Sequence, residues 1–370
     1  MIIDELRIIE HTNTQVRFLP IISQILRTIG SRSSSLNILE SVLLKWSIEQ
    51  ERNSTEYKNH NGILSNNEKP TTAFQYYIEL MMNFGFITKI NEVVRNSKYG
   101  ILFLTLDKLN FDRNFFSQIE KMFFFFFIIQ KDADNIIMLL QMIKENDGIA
   151  DQTLLRANYE SYLKKRLQLK ANNSHSFSQN AVLDKLRKVE YEWQNAKEYS
   201  KHIIPPRMEW LVDIGILKKN ETKRIKRFEF TEFGIRFYNS LEFVDDSELK
   251  DVNYIWLEDK LVYEFQYLFK NENLINDFNS LDEYSKNNFL GEILPLAYKE
   301  LDNDGLRRVS GLPFYLFIMI IGLSKYKISV PFSSLKARLT QSFSTNEYTF
   351  SFREASRINE SYLTVSINNI

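Results

Sequence analysis

Cysteine is absent from the 370-residue chain, and histidine occurs only four times. Without cysteine, disulfides, thiolate metal sites and cysteine nucleophiles are excluded. The four histidines, at positions 11, 60, 175 and 202, are scattered along the chain, which argues against a histidine-based metal centre. We therefore expect neither a metal nor any other cofactor.

Long apolar runs are missing as well. Residues 122–129 and 312–323 are the runs that most resemble a membrane segment. Both fall short of the ~20 residues that a spanning helix needs, so we interpret them as buried core helices. The N-terminus carries Asp4 and Glu5 where a secretory signal would carry basic residues. We therefore expect a cytoplasmic protein with no membrane partner.

Motifs for common enzyme chemistry are also lacking. The chain holds no Walker A, GxGxxG, HExxH, GxSxG or EF-hand sequence. Among its Glu-x-Lys pairs, we consider Glu221 with Lys223 and Glu258 with Lys260, of the kind that holds Mg²⁺ in one nuclease class. The first falls on a predicted hairpin tip and the second in a helical pattern, where Asp245, Asp246 or Asp251 would have to supply the partner carboxylate. We expect no catalytic activity in this chain and keep a Mg²⁺-dependent nuclease as the least favoured alternative.

The overall charge is balanced, but its distribution is not. The 47 basic and 47 acidic residues cancel, and 44% hydrophobic residues are typical of a globular protein with sizeable cores. Residues 156–227 hold 17 Lys and Arg against 8 Asp and Glu, whereas residues 239–304 hold 5 against 16. A local basic patch can therefore bind nucleic acid although the whole molecule is neutral.

Three stretches of the chain share one pattern: an apolar helix, a turn and two short β-rich runs. In the first, residues 73–84 predict a helix stopped by Gly85, and residues 86–90 and 100–106 predict strands around a polar tip, 91–98. In the third, residues 313–325 and 331–342 predict helices, and residues 348–353 and 362–367 predict a β-hairpin.

The second stretch has the longest helical lead-in. Helices are predicted at 115–130, 134–144 and 151–170, followed by a long charged helix at 180–202 that Pro205 and Pro206 interrupt. A short helix at 208–214 then ends at Gly215. Strands at 216–218 and 228–231 flank a Lys-rich tip, and a helix at 232–241 follows.

Two of these stretches resemble the winged-helix superfamily. They read "IELMMNFGFITKI…YGILFLT" and "RMEWLVDIGILKK…RFEFTEFGIRF", and the Thr-Glu-x-Gly at 231–234 is similar to the ending that often follows a wing. The third stretch resembles the family more loosely, because it lacks the Gly after its second helix. Three such units in this length also resemble the DNA-recognition part of Type IIS restriction endonucleases of the FokI kind, although no nuclease domain follows the third unit here.

The resemblance implies an α-rich α+β protein of tandem winged-helix-like units joined by helical linkers. Residues 1–110 would form the first unit with N-terminal helices. Residues 111–241 would form the second unit with its long lead-in and basic wing. Residues 242–370 would hold an acidic helical segment and the third unit.

The predicted interface with double-stranded DNA is mainly the second wing and its preceding helix. Wing cations would bind phosphates, and Arg207 on the helix before the wing would contact a guanine edge. The second-unit candidates are Arg207, Lys218, Lys219, Lys223, Arg224, Lys226 and Arg227. In the third unit, Lys336 and Arg338 are further candidates. Lys164, Lys165, Arg166 and Lys170 would extend the patch.

The favoured function is non-catalytic DNA binding, as the recognition subunit of a restriction or phage-defence system that works with a separate nuclease or other effector, or as a regulator. A protein–protein adaptor is the alternative, because winged helices also serve as docking modules and the acidic middle segment suits a basic partner. For the basic wing itself, a solvated hairpin tip is the alternative to DNA contact.

Overall fold

A computed structural model describes most of the chain: residues 6–10, 12–60, 62–110, 115–174, 176–193, 196–222, 225–244, 249–269, 274–302, 305, 307–353 and 361–368. About 63% of the structure is helical, and the strands form several small antiparallel sheets and one parallel pair. The α-rich α+β class predicted from the sequence is therefore confirmed.

The chain divides into two compact units, and each is built from separate stretches. The first unit contains Met1–Ser97 and Phe124–Leu257, and the second contains Lys98–Phe123 and Glu258–Ile370. The first and second sequence repeats thus lie mostly in one unit, and the third repeat lies in the other.

The first repeat occupies the N-terminal part of the first unit. It contains helices α1 (Leu19–Ile29), α2 (Leu36–Asn53), α3 (Thr55–Asn59) and α4 (Ala73–Phe84), and strands β1 (Ser34–Ser35), β2 (Ser65–Asn66), β3 (Lys69–Pro70), β4 (Ile87–Ile90) and β5 (Val93–Asn96). Helix α5 (Lys98–Lys108) follows and belongs to the second unit.

The second repeat begins with α6 (Gln118–Lys144), whose residues from Phe124 onward belong to the first unit. It continues with β6 (Ile149–Asp151), α7 (Gln152–Asn173), α8 (Ser176–Arg187), a π-helical turn (Lys188–Glu192), α9 (Ala196–Ile214), β7 (Leu217–Thr222), β8 (Ile225–Phe230), α10 (Glu232–Ser240), β9 (Glu242–Phe243) and β10 (Lys250–Asp251).

The third repeat dominates the second unit. A π-helical turn (Trp256–Lys260), α11 (Leu261–Phe265) and β11 (Asn276–Asp277) precede it. It consists of α12 (Glu283–Leu301), β12 (Arg308–Ser310), α13 (Gly311–Ile321), a π-helical turn (Gly322–Tyr326), β13 (Ile328–Ser329), α14 (Phe332–Thr340), β14 (Phe343–Ser344), β15 (Tyr348–Arg353) and β16 (Tyr362–Ile367).

All three repeats share one order of elements and one strand arrangement. Each runs helix, short strand, helices and hairpin, and the short strand pairs antiparallel with the last strand of its hairpin. The resulting strand orders are β1-β5-β4, β6-β8-β7 and β12-β16-β15, and the third sheet gains β14 at its edge. The recurring pattern seen in the sequence therefore corresponds to a recurring topology.

Glycines end the helices that precede the first two hairpins, as predicted. Gly85 and Gly215 have φ of 77° and 97°, a left-handed backbone that favours glycine. Beyond Gly85 the prediction fails in part. Residues 100–106 are helical in α5 and form no strand, and the expected polar tip at 91–98 instead contains β5. The turn between β4 and β5 consists of Asn91 and Glu92 alone.

Helix α9 runs through Pro205 and Pro206, where the sequence predicted an interruption. A proline lacks the N–H that would bond to the carbonyl four residues earlier. The carbonyl of His202, four residues before Pro206, instead accepts a hydrogen bond from the Thr12 hydroxyl at 3.1 Å. An extended segment from elsewhere in the first unit thus replaces the missing donor.

Both apolar runs are buried, as expected. Phe123 to Phe127 are at most 1% exposed. The ring centroid of Phe125 lies 4.9 Å from that of Phe237 on α10, and the ring centroid of Phe127 lies 4.9 Å from that of Phe86, just before β4. Residues 312–323 are also buried. Within the described ranges, none of the helices has the length and apolar character needed to cross a membrane.

Candidate nucleic-acid interface

The second hairpin carries six of the cations that the sequence singled out, and three of the four that the structure describes are paired with acids. Lys218 contacts Glu229 at 3.1 Å, Lys219 contacts Glu209 at 2.9 Å, and Lys226 contacts Glu221 at 3.5 Å. Arg227 is exposed and lies on β8 opposite Asn220. Lys223 and Arg224 lie outside the described residues.

The register of this hairpin separates its side chains into two faces. Leu217, Phe228 and Phe230 point toward the interior, and Lys218, Glu229 and Arg227 lie on the outer face. The Lys218–Glu229 pair is exposed, and pairs of this kind are worth only ~0–1 kcal/mol, so Lys218 remains exchangeable between a carboxylate and a phosphate. The described part of the second hairpin is nevertheless a surface of mixed charge.

Arg207 does not lie on an exposed helix face, and that prediction is wrong. Its side chain is 0% exposed and donates two hydrogen bonds to the Asp132 carboxylate, at 2.6 and 3.1 Å. It also donates to the carbonyls of Ile203 and Ile9. The neighbouring Glu209 is likewise buried. A guanidinium enclosed in this way has no surface to offer to a base edge.

Half of the expected extension of the basic patch is internal too, whereas Lys164 is partly exposed and Lys165 is exposed. Arg166 and Lys170 are buried, and both donate to Asp134 and Asp251. Arg7 joins the same cluster through Asp251, and its backbone N–H donates to Asp134 at 2.7 Å. These cations therefore hold the N-terminal segment, α6, α7 and β10 together.

Asp132, which pairs with Arg207, and Asp134, which pairs with Arg166 and Lys170, have opposite pKa shifts. Burial raises the pKa of Asp132, and its partner Arg207 only partly opposes this effect. Burial would also raise the pKa of Asp134, but Lys170, Arg166 and Arg7 outweigh it and hold that pKa below its usual range. The direction of each shift follows the number of cations that the carboxylate faces.

In the second unit, Lys336 and Arg338 lie on α14. Arg338 is partly exposed and pairs with Glu283 of α12. Lys336 is half-buried and acts electrostatically on Glu258, whose pKa is raised to about 7 chiefly by burial and then by Asp259. These two cations thus have acidic neighbours, as the wing cations do.

A different surface of the second unit combines cations with hydroxyl groups. The register of β12, β16, β15 and β14 places alternate residues on the outer face of the sheet, and the apolar residues Val309, Leu363, Phe350 and Phe352 face inward. We call this the outer sheet face; it consists of Arg308, Ser310, Ser344, Thr349, Ser351, Arg353, Tyr362, Thr364 and Ser366.

None of these nine positions carries a carboxylate. Arg308 and Arg353 are exposed, and the Arg308 guanidinium stacks 3.5 Å above the Tyr362 ring. Lys98 of α5 adds a third cation at the edge, where its ammonium group donates to the Ser310 hydroxyl at 3.1 Å. Burial lowers the pKa of Lys98. Among the described residues, the outer sheet face and Lys98 therefore carry charge of one sign.

Sequence reasoning missed this surface, although its signal was visible. The alternation in "TFSFR" and "YLTVSI" predicted the hairpin, and its polar half is the outer sheet face. The contribution of Arg308 and Lys98 has no local signal, because both come from elements distant in the sequence from the hairpin.

The geometry does not favour the nuclease alternative. Glu258 and Lys260 lie in a π-helical turn and not on adjacent strands. Among the described residues, no group of three or more His, Asp or Glu side chains is arranged to hold a metal ion.

No protein-family model, curated protein or solved structure matches this chain significantly.

Proposed function

We propose that this chain is a non-catalytic double-stranded DNA-binding protein built from three winged-helix-like units. The observation that carries the proposal is the outer sheet face, with cations and hydroxyls and no carboxylate among its residues. Arginine, lysine and hydroxyl side chains supply most protein contacts to phosphate and sugar. The repeated order of helices and hairpin supports the winged-helix part of the proposal.

Electrostatics favours the outer sheet face over the second wing as the main contact. Among the nine described residues of that face no acid accompanies Arg308 and Arg353, whereas three described lysines of the second wing each contact a glutamate. Phosphates would have to compete with those glutamates. Lys218, Arg227, Lys336 and Arg338 would then contribute secondary contacts.

The test is binding of a random-sequence 30-base-pair duplex, measured by fluorescence anisotropy across a salt series. The variant carries Arg308→Ala and Arg353→Ala. The matched control carries Lys45→Ala and Arg187→Ala, which remove two exposed cations of the first unit. Each phosphate that is no longer neutralised should reduce the salt slope by ~1, so we expect a reduction of ~2 in the variant and none in the control. Equal slopes, or no binding by the wild type at low salt, would contradict the proposal.

The second candidate function is a protein–protein adaptor, which would act beside a separate nuclease or other effector. The outer face of the second hairpin favours it, because exposed Ile225 and Ile149 lie there with the paired Lys218 and Glu229. Mixed apolar and paired polar surfaces are common at interfaces. Stoichiometric co-purification of one partner, abolished by Ile225→Asp with duplex binding unchanged, would support this function.

A further inference from the structure

The first unit contains a cavity of ≈ 520 Å³ that the DNA-binding proposal does not use. The extended segment 8–13, α4, α7, α8, the following π-helical turn and the start of α9 line it. Cavities of roughly 300–1,000 Å³ are the size in which proteins enclose small molecules.

Three parallel aromatic rings run from its floor to its mouth. Tyr159 and Trp193 stack with centroids 6.3 Å apart and an interplanar angle of 11°. Trp193 and Tyr199 stack at 4.9 Å and 16°. Tyr159 is 1% exposed, whereas Tyr199 is 46% exposed, so the column ends in an accessible ring. A flat ligand can extend such a column by stacking.

Polar groups surround this column. At the floor, the Tyr159 hydroxyl donates to the side-chain oxygen of buried Asn135 at 2.7 Å. Thr12 and His202 lie on the wall, and Glu79 of α4 presents a carboxylate. The lining thus offers donors and acceptors beside an apolar stack, which fits a ring whose edge carries hydrogen-bonding groups.

Charge limits the ligand further. The lining has three carboxylates, Glu10, Glu79 and Glu192, against two ammonium groups, Lys185 and Lys188. Lys185 pairs with Glu10 at 2.9 Å and also lies 5.8 Å from the Trp193 ring centroid. The excess of carboxylates disfavours a phosphate inside the cavity and favours a ring edge rich in N–H donors.

We propose that this cavity binds a nucleobase, presented either by a free nucleoside or by a base that leaves the stack of a nucleic acid. Guanine suits it best, because the adjacent N–H groups of its pairing edge can both donate to one carboxylate, whereas uracil presents mainly carbonyl acceptors. Stacking of a base on an aromatic side chain strengthens binding by about 10-fold or more.

The experiment follows tryptophan fluorescence of the full chain during titration with guanosine, uridine, a guanine-containing single-stranded decamer and a duplex of the same sequence. We expect saturable quenching by guanosine that is stronger than by uridine. Trp193→Phe should abolish most of the quenching, and Trp46→Phe, outside the cavity, should preserve it. Tyr199→Ala should weaken the affinity by about 10-fold, as measured by calorimetry.

The titrations with guanosine and with the decamer distinguish a free nucleoside from a base presented by a nucleic acid. Quenching by guanosine indicates a free nucleoside site, and quenching by the decamer alone, with the same dependence on Tyr199, indicates a base presented by nucleic acid. Quenching by none of the probes at millimolar concentration, or a Tyr199→Ala variant that binds like the wild type, overturns the inference. The Arg308→Ala, Arg353→Ala variant should bind guanosine as the wild type does. Failure of the DNA-binding proposal can therefore be distinguished from failure of the nucleobase proposal.

Discussion

Arg207 and Asp132 form a fully buried pair in which the carboxylate faces one arginine, and Thr12 and two carbonyls occupy the rest of the guanidinium. Arg207→Ala would leave a buried carboxylate without its cation. We expect a loss of about 3–5 kcal/mol in the free energy of unfolding, measured by urea titration.

A double variant, Asp132→Asn with Arg207→Met, is the control for this pair. Because it removes both charges, it should be less destabilising than Arg207→Ala alone. If the Arg207→Ala variant were as stable as the wild type but bound duplex poorly, Arg207 would have a role in DNA binding and not in the stability of the core.

Glu258 gives the second unit a pH-dependent stability. Burial, followed by repulsion from Asp259, raises its pKa to about 7, so the folded state holds a proton that the unfolded state releases at lower pH. This contribution to stability is complete below pH ~4.5 and is lost as the pH rises toward 7. Glu258→Gln mimics the protonated side chain and should be more stable than the wild type at pH 8.

Because the Glu258 side chain is partly exposed, solvent screens the effect, and we expect about 1–2 kcal/mol at pH 8. The difference should vanish near pH 4.5 in urea unfolding at each pH. Glu347→Gln, which alters an exposed carboxylate of the same unit, is the control. A gain at pH 8 that persists unchanged at pH 4.5 would refute the link to protonation.

At the scale of elements, the Thr-Glu-x-Gly sequence after the second hairpin has a structural explanation. The Thr231 hydroxyl accepts from the Gly234 N–H at 3.0 Å and donates to the Gly215 carbonyl at 2.6 Å, which ties α10 to the start of the hairpin. A Cβ on Gly234 would lie 2.1 Å from the Ile216 carbonyl oxygen. The close approach therefore requires glycine.

Gly234→Ala should destabilise the first unit by about 1–3 kcal/mol, because backbone has to move. Thermal unfolding measures this. Gly291→Ala on α12 is the matched control: its Cβ would meet nothing within 4 Å, so it should be neutral or stabilising by up to about 1 kcal/mol. Similar melting temperatures for both variants would mean that α10 can shift away from the Ile216 carbonyl at no cost in stability.

Elements with local signals were predictable, and those with distant partners were not. The hairpin of β15 and β16 and the helix α4 agree with the sequence prediction to the residue, because alternation and a capping glycine are local. Helix α9 continues through both prolines, and the donor to the His202 carbonyl, which Pro206 cannot supply, comes from Thr12, far away in the sequence.

The candidate site shows the same limit. Counting Lys and Arg along residues 156–227 gives a strongly basic stretch, yet Arg166, Lys170 and Arg207 are neutralised by aspartates from other segments. A linear charge count cannot distinguish a buried ion pair from a surface patch. The outer sheet face, by contrast, needs a tertiary register to bring Arg308 next to Thr364 and Tyr362.

At the scale of the molecule, the second unit is discontinuous. Helix α5, from its N-terminal stretch, bonds to the C-terminal stretch through Lys108 and Glu300 at 2.9 Å and through Lys98 and Ser310. We therefore expect residues 258–370 alone to unfold at a lower temperature than a version joined to residues 98–123 through a flexible linker. Calorimetry compares the two, with a scrambled 98–123 segment as the control. Equal melting temperatures for all three would mean that α5 contributes nothing.

The N-terminal segment also has a consequence for biosynthesis. Arg7 leaves the ribosome 244 positions before its partner Asp251. At about 5–20 residues per second, translation takes roughly 12–50 s to cover that distance. Arg166 and Lys170 appear later, but they too wait for Asp251, which follows them by 85 and 81 positions. Completion of the first unit is therefore timed by the synthesis of its last strand, and the nascent chain offers a long window in which a chaperone can engage it.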